Sequence, residues 1–217
     1  MAGYDIEFSL WDPIWKSMKG ANQKPYDVSD PLRRLQNERN PSVIAKIYDE
    51  LWTNLVHDGF IGSASLNAIP QLVRIARQNN TIDQNLLRLC CTIHLLNGRK
   101  IRVKLPRGMY DFDRLYNDAW QELSGYIAEN INRIGKVEIS NPEEYNEETY
   151  NEALKNANDL LRYALATVTI INDNYWLART LMLMDTDTQV AYVDTADAKE
   201  PQIDWRDIIE DDCSYIQ

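Results

Sequence analysis

Cys91 and His94 are the pair in this chain whose residue types and spacing best fit nucleophilic catalysis. On a helix, residues three positions apart share a face, so the imidazole could deprotonate the nearby thiol. The surrounding segment is apolar over most of a helical circumference, which predicts a central, buried helix. We therefore expect Cys91 and the adjacent Cys90 to be small core residues. An enzyme that uses Cys91 and His94 is kept as the third functional hypothesis.

The chain has only one other histidine, His57. It is predicted to lie in the last turn of a helix, where an imidazole can bond the terminal carbonyls and complement the helix dipole. His94 is expected to be a hydrogen-bonded core residue. Neither histidine has further ligands at the spacing of a zinc or catalytic site. The sequence also lacks the common nucleotide-binding and hydrolase motifs. We predict no enzymatic activity, no metal and no cofactor.

Acidic and aromatic residues occur together in two segments of the chain. Carboxylates that imitate phosphates, beside rigid Tyr or Trp anchors, are the chemistry of inhibitors that block basic nucleases. In the alternative interpretation, the first acidic segment is only the first turn of a helix, and the second is only a solvated acidic tail. The acids of the tail lack the spacing of a calcium-binding loop. The candidate partner-binding residues are Glu143, Glu144, Tyr145, Glu147, Glu148, Tyr150, Trp205, Asp207, Glu210, Asp211, Asp212 and Tyr215.

The net charge of -10 indicates which partners are disfavoured. An acidic surface repels phosphate backbones, so we expect no nucleic-acid binding and instead a basic protein partner. One basic run is the exception, and it is interpreted either as a solvated loop or as a contact for RNA or an acidic partner. Its cations are Arg99, Lys100, Arg102, Lys104 and Arg107.

Three cysteines, an odd number, do not form a disulfide framework. Acidic residues interrupt the N-terminal segment, so it has no secretion-signal pattern, and no run of 18 apolar residues would span a membrane. We expect a cytoplasmic protein that does not bind membranes and is monomeric when free.

Helix signals fill the first half of the chain after an N-terminal arm, residues 1–30, which we expect to pack on the helices. Asp30 and Asn40 each precede a proline, which predicts two N-caps. The second helix should bury a stripe from Val43 to Val56. Ser63 or Ser65 is predicted to cap the next helix, which Pro70 should kink. Thr81 and Gln84 have capping-box spacing for a fourth helix.

Three further helices are predicted after the basic run. The first spans about 111–134, with Ile131 among its inward residues, and the last spans about 174–184. The middle helix is predicted to begin in the glutamate-rich segment 143–148. A strand is predicted at 188–193, paired with 201–205 as a small hairpin. The predicted inward stripe of the middle helix is Tyr150, Leu154, Ala157, Leu160, Leu161, Ala164 and Val168.

These elements predict a mainly all-α fold, in which antiparallel helix pairs form a short α-solenoid with a small β-hairpin near the C-terminus. No strict repeat period is present, so any repeats are degenerate. We predict a single domain over 1–217, made of the arm 1–30, the helical-repeat body 31–185 and the β segment and acidic tail 186–217.

The segment from Glu50 to Ala76 resembles a group of uncharacterised bacterial proteins with HEAT-like helical repeats. A weaker resemblance covers Leu177–Leu181 and Gln189–Val193, but the C-x-x-C pair of many such proteins is absent at 194–197. The resemblance extends over about residues 40–200. Its matching residues are Glu50, Leu51, Trp52, Leu55, His57, Gly59, Ser63, Ala64, Ser65, Ala68, Pro70, Leu72, Ile75 and Ala76.

The resemblance implies a HEAT-like solenoid without established enzymatic activity, and some HEAT-like proteins resemble immunity proteins that neutralise toxins. Our leading hypothesis is therefore a cytoplasmic immunity protein that occludes the basic active site of a bacterial toxin, with a nuclease as the candidate class. The second hypothesis is a general HEAT-like scaffold that binds an endogenous partner.

Overall fold

The computed structural model describes residues 9–97, 112–134, 136 and 146–184. All regular elements in these ranges are helices, which confirms the mainly helical class, and two isolated β-bridges are the only extended pairings there. The predicted strand and hairpin lie outside the described residues. The elements are a 3₁₀ helix Pro13–Ser17 and the helices α1 Ser29–Asn37, α2 Pro41–Leu55, α3 Ser63–Asn79, α4 Gln84–Asn97, α5 Phe112–Glu129, α6 Glu147–Ile171 and α7 Tyr175–Leu183.

The chain divides into two compact units between Tyr126 and Ile127, within α5. In the first unit α1 packs on α2 and α3, and α4 packs on α2 and α3, so two helix pairs lie against each other. Their shared core is aliphatic, since Leu32, Leu51 and Leu87 are fully buried. Two compact units can belong to one domain, and the single domain therefore stays a prediction. In the second unit α6 packs on α7.

The described part of the N-terminal arm packs on the helices, as predicted. Trp15 and Met18 are fully buried. The backbone N–H of Lys19 donates to the Ser63 hydroxyl at 2.9 Å, and its carbonyl accepts from the Ala64 N–H at 3.0 Å. These bonds attach the arm to the first turn of α3.

The prediction that Asp30 caps α1 is wrong. The helix begins one residue earlier, at Ser29, and the Asp27 carboxylate accepts from the Ser29 N–H at 3.1 Å. Asp30 lies in the first turn and pairs with Arg33 and Arg34. The Asn40 cap of α2 is confirmed.

Two further cap predictions also fail. Gly62 is the N-cap of α3, and Ser63 and Ser65 lie in its first turn, where their hydroxyls bond other segments. At α4 the cap is the Asp83 carboxylate, which accepts from the Leu86 N–H at 3.0 Å, so Thr81 does not begin the helix. Helix α3 continues through Pro70.

His57 does not lie in the last turn of α2, because that helix ends at Leu55. Its backbone pairs with Phe60 around a two-residue turn in which Asp58 and Gly59 both have positive φ, +48° and +74°. An Asp-Gly pair favours this hairpin turn. The His57 imidazole lies on the surface, 3.2 Å from the Asp58 carboxylate, so the predicted carbonyl cap is wrong.

The predicted buried faces of α2 and α5 need two corrections. Val43, at the start of the α2 stripe, is exposed, whereas Ile47 and Leu51 are buried as expected. Helix α5 ends at Glu129 rather than near residue 134, so Ile131 lies in a turn and is exposed. Both errors occur at helix ends, where fewer neighbours are available to cover an apolar side chain.

Candidate protein-binding surface

Helix α6 begins with a reciprocal cap. The Asn146 side chain accepts from the Thr149 N–H at 2.9 Å, and the Asn146 N–H donates to the Thr149 hydroxyl at 3.0 Å. This capping box fixes the first turn, whose next residues are Glu147 and Glu148. Their carboxylates complement the positive end of the helix dipole and remain exposed to solvent.

Three of the predicted site residues lie in the described part of the chain, and α6 brings them together. Glu147, Glu148 and Tyr150 are exposed within the first turns of the helix. The other predicted partner-binding residues lie outside the described residues. They are Glu143, Glu144, Tyr145, Trp205, Asp207, Glu210, Asp211, Asp212 and Tyr215.

Four large apolar side chains form an exposed stripe along α6. Tyr150, Leu154, Leu161 and Leu165 are 38%, 36%, 37% and 46% exposed. Their spacings of four, seven and four residues place them on one helical face. At a rise of about 1.5 Å per residue, the stripe is about 22 Å long. We call these four residues the α6 stripe.

The α6 stripe corrects the predicted inward face of this helix. Tyr150, Leu154 and Leu161 were expected to be buried, but only Ala157 and Ala164 of the predicted set are. Most of the buried face lies on another side of the helix and consists of five residues that the prediction omitted. These are Arg162, Tyr163, Ala166, Thr167 and Ile170.

A buried arginine stabilises the packed face of α6. The Arg162 guanidinium donates to the Asp159 carboxylate at 2.6 Å and to the Tyr163 hydroxyl at 3.0 Å. It also lies over the Tyr163 ring, 4.6 Å from the centroid. These partners all lie on α6 itself, so they satisfy the charge of the buried guanidinium within the helix.

Three carboxylates in the first two turns of α6 have no ionic partner among the described residues, and of these only Glu147 lies on the same side of the helix as the α6 stripe. Glu147, Glu148 and Glu152 are exposed and form no ion pair with any described residue, whereas Asp159 is engaged by Arg162. We call these three glutamates the acidic end of α6. Glu152 and Leu165 were missed by sequence reasoning. The exposure of Leu165 could have been inferred, because α6 carries apolar residues at helical spacing on two faces and only one of these faces can pack inward.

Helix α7 adds exposed aromatic surface to the same unit. Asn174 caps it by accepting from the Leu177 N–H at 3.2 Å, which confirms the predicted start. Trp176 and Tyr175, in its first turn, are both exposed. The Tyr175 hydroxyl donates to the Asp173 carboxylate at 3.1 Å. Exposed Trp and Tyr side chains are common at protein–protein contacts.

The alternative catalytic pair is in a different environment. Cys90 and Cys91 are fully buried in α4, as predicted. Burial raises the pKa of the Cys90 thiol well above its usual value, so the reactive thiolate is disfavoured. The His94 Nδ1 lies 3.0 Å from the Tyr116 hydroxyl, and its ring meets the Trp120 ring edge-on at 4.6 Å. His94 is therefore a hydrogen-bonded histidine packed among aromatic rings.

No group of three His, Cys, Asp or Glu side chains in the described ranges is arranged to hold a metal ion. Over the same residues, no helix combines the length and apolar character needed to cross a bilayer. Comparison with protein-family models, curated proteins and solved structures finds no match to this chain. The resemblance to HEAT-like proteins stays a prediction.

Proposed function

We propose that this chain is a binding protein that recognises a basic protein partner through α6. The observation that carries the proposal is that α6 combines an exposed apolar stripe with the acidic end, three unpaired glutamates in its first two turns. Apolar side chains supply contact area, and unpaired charges beside them select a partner of opposite charge. Solvation alone would explain the glutamates, but it would not explain four large apolar side chains on the same exposed side of the helix.

Within this proposal, the specific role is that of a cytoplasmic immunity protein that neutralises a bacterial toxin by covering its basic active site. The net charge of -10 supports a basic target, and a nuclease is the class whose phosphate-binding cleft fits best. The resemblance to HEAT-like proteins supports the same role. The two helix pairs α1–α2 and α3–α4 are compatible with the start of a solenoid, which is part of the proposal.

The test compares the native chain with the charge-reversed variant Glu147→Lys/Glu148→Lys/Glu152→Lys. Each is used to capture proteins from the source cell, and the captured protein is then purified and titrated against both chains. We expect the reversal to weaken binding at least about tenfold and to reduce its dependence on salt. Equal affinity of the two chains for every purified partner would refute the proposal.

A second assay separates the immunity role from the second candidate, a general scaffold. The purified partner is expressed in cells with and without the chain, and growth is measured. Rescue of growth by the native chain, and loss of rescue with the reversed variant, is expected of an immunity protein. A harmless partner would favour the scaffold, for which the exposed α6 stripe is the supporting observation.

A further inference from the structure

A small cavity lies within the first compact unit, where its four helices meet. It has a volume of about 110 Å³ and is formed by the last turns of α1 and α3, the first half of α2 and the start of α4. We infer that this cavity binds an alkylammonium group, whose NH₃⁺ meets the Tyr48 hydroxyl and the Asp83 carboxylate. Its short carbon chain would lie on an apolar wall made of Leu35, Ile44, Ile75 and Ala76.

The Tyr48 hydroxyl is a polar group that needs a partner from the cavity. Tyr48 lines the cavity and is only 7% exposed, and its hydroxyl forms no hydrogen bond with any described residue. Burial, and then the charge of Asp83, raise the pKa of Tyr48 well above its usual value, so the hydroxyl lies near Asp83. A buried hydroxyl without a hydrogen bond is costly, so water or a ligand must supply the partner.

Asp83 supplies the negative charge of the site. Its carboxylate accepts from the Leu86 N–H at 3.0 Å and forms no ion pair with any described residue. Burial raises the pKa of Asp83, so its ionised form lowers the stability of the folded chain, which a neutral cap such as asparagine would avoid. Perturbed titratable groups that line a cavity are characteristic of binding sites.

The other charges around the cavity also favour a cation. Glu38 lines it, and the N–H groups of Asn40 and Arg39 donate to its carboxylate at 2.9 and 2.8 Å, which lowers the pKa of Glu38 and keeps it ionised. Among the described residues that line the cavity, only Arg39 is a cation, and its guanidinium already donates to the carbonyls of Gln36 and Glu38. An anion would therefore meet two carboxylates and one partly engaged guanidinium.

The volume limits the ligand to a small group. An engineered apolar cavity of about 150 Å³ holds one benzene molecule, so this smaller cavity suits a chain of about four carbons that ends in one nitrogen. Two sources offer that group, a free alkylamine and the side chain of a lysine on a partner protein. Water is the alternative occupant, and it would satisfy the Tyr48 hydroxyl without any ligand.

The test titrates the isotope-labelled full chain with n-butylammonium chloride at constant ionic strength and follows the backbone amide signals by NMR. We expect saturable shifts that are largest at Ala76 and from Asp83 to Leu86. Butyrate and n-butanol have similar chains and should bind at least about tenfold more weakly, since butyrate is repelled by Asp83 and butanol forms no ion pair. No saturable shift with n-butylammonium, or equal affinity for either control, would overturn the assignment and leave water as the occupant.

Two substitutions locate the ammonium group. Asp83→Asn keeps the helix cap and removes the charge, and Tyr48→Phe keeps the ring and removes the hydroxyl. We expect the first to weaken binding of n-butylammonium at least about tenfold and the second about threefold. Asp49→Asn and Tyr150→Phe make the same changes at exposed positions and should leave binding unchanged. Asp83→Ser takes the place of the first variant if asparagine disturbs the cap, and unchanged affinity at either site position would refute the assignment.

A second titration distinguishes the two sources of the group. Acetyl-lysine methylamide presents the same ammonium on a protein-like backbone. The same shifts with both probes would show that the cavity accepts a protein lysine, whereas binding of n-butylammonium alone would assign it to a free amine, and either result supports the ammonium site. The charge-reversed α6 variant should bind n-butylammonium like the native chain, so this site and the proposed function of α6 succeed or fail separately.

Discussion

The hydroxyl of Ser65 donates a 2.6 Å hydrogen bond to the backbone carbonyl of Leu55, ten residues earlier in the chain. The same oxygen accepts from the Gly62 N–H at 2.9 Å, and Ser65 is fully buried. One side chain therefore satisfies a carbonyl at the end of α2 and an amide at the start of α3. It fixes the path of the chain between the two helices.

Substitution of this serine should destabilise the fold. In Ser65→Ala the Leu55 carbonyl and the Gly62 N–H lose their common partner in a site closed to water, and each unsatisfied buried group costs about 1–3 kcal/mol. We expect the free energy of unfolding to fall by about 2 kcal/mol or more, measured by chemical denaturation. Ser42→Ala, at an exposed position of α2, is the control and should change it little. Equal effects of the two substitutions would contradict this role.

The glycines Gly62 and Gly125 should respond in opposite ways to alanine. A Cβ at Gly62 would collide with the backbone carbonyls of Lys19 and Gly20, where the arm crosses the α3 cap. Gly62→Ala is expected to cost about 2 kcal/mol or more, because neither backbone segment can move without breaking the arm contacts. Gly125 lies within α5, and a Cβ there would meet no atom within 4 Å.

For Gly125→Ala the helical backbone suits alanine better, so we expect a gain of about 0.5–1 kcal/mol. Thermal unfolding followed by circular dichroism measures both variants. A tolerated alanine at Gly62 would show that the arm does not pack closely at the α3 cap.

The Asp83 carboxylate should make stability depend on pH. Burial raises its pKa in the folded chain, although its hydrogen bonds to backbone amides oppose the shift. A carboxyl with a raised folded pKa loses stability as the pH rises from its unfolded pKa of about 3.9 through the folded value. A neutral residue would avoid that loss, and asparagine caps a helix nearly as well.

Asp83→Asn should therefore become more stable relative to the native chain between pH 3.5 and pH 7. Denaturation of both proteins across this range measures the difference, and Asp83→Ser should show the same trend. A stability difference that does not vary with pH would indicate that the Asp83 charge has no effect on folding.

The buried thiols of α4 provide a test of the enzymatic alternative. Cys90 and Cys91 should react at least about a hundredfold more slowly in the folded chain than after unfolding, because the reagent must wait for the helix to open. The experiment uses Cys213→Ser, so that only these two thiols are counted, and follows labelling by mass spectrometry. Rapid labelling of Cys91 in the folded protein would restore the hypothesis of a Cys91–His94 nucleophile.

Much of the helical fold could be predicted from the sequence, because apolar spacing depends on the helix alone. Asn40 followed by Pro41 locates the start of α2 correctly. The caps near Asp30, Ser65 and Thr81 were misassigned because several polar residues competed for each role. The choice among them depends on distant partners, such as the Leu55 carbonyl that binds Ser65.

The candidate surface was only half predictable for a related reason. The unpaired acids Glu147 and Glu148 were found from charge and helix position, which are local properties. The exposure of Leu154 and Leu161 was not, because α6 has apolar residues on two faces. Which face packs depends on the contacts that α6 makes with other parts of the fold, such as α7, and no periodicity in the sequence indicates those contacts.

The bonds between Lys19 and the start of α3 also set an order of events during synthesis. Lys19 and Ser63 are 44 residues apart, and ribosomes add about 5–20 residues per second, so the arm waits about 2–9 s before its binding site has been made. During that interval the arm, which carries Trp15 and Met18, lacks the bonds from Lys19 to α3 that attach it to the helices. The nascent arm is therefore a candidate for chaperone binding until α3 has been synthesised and can bind it.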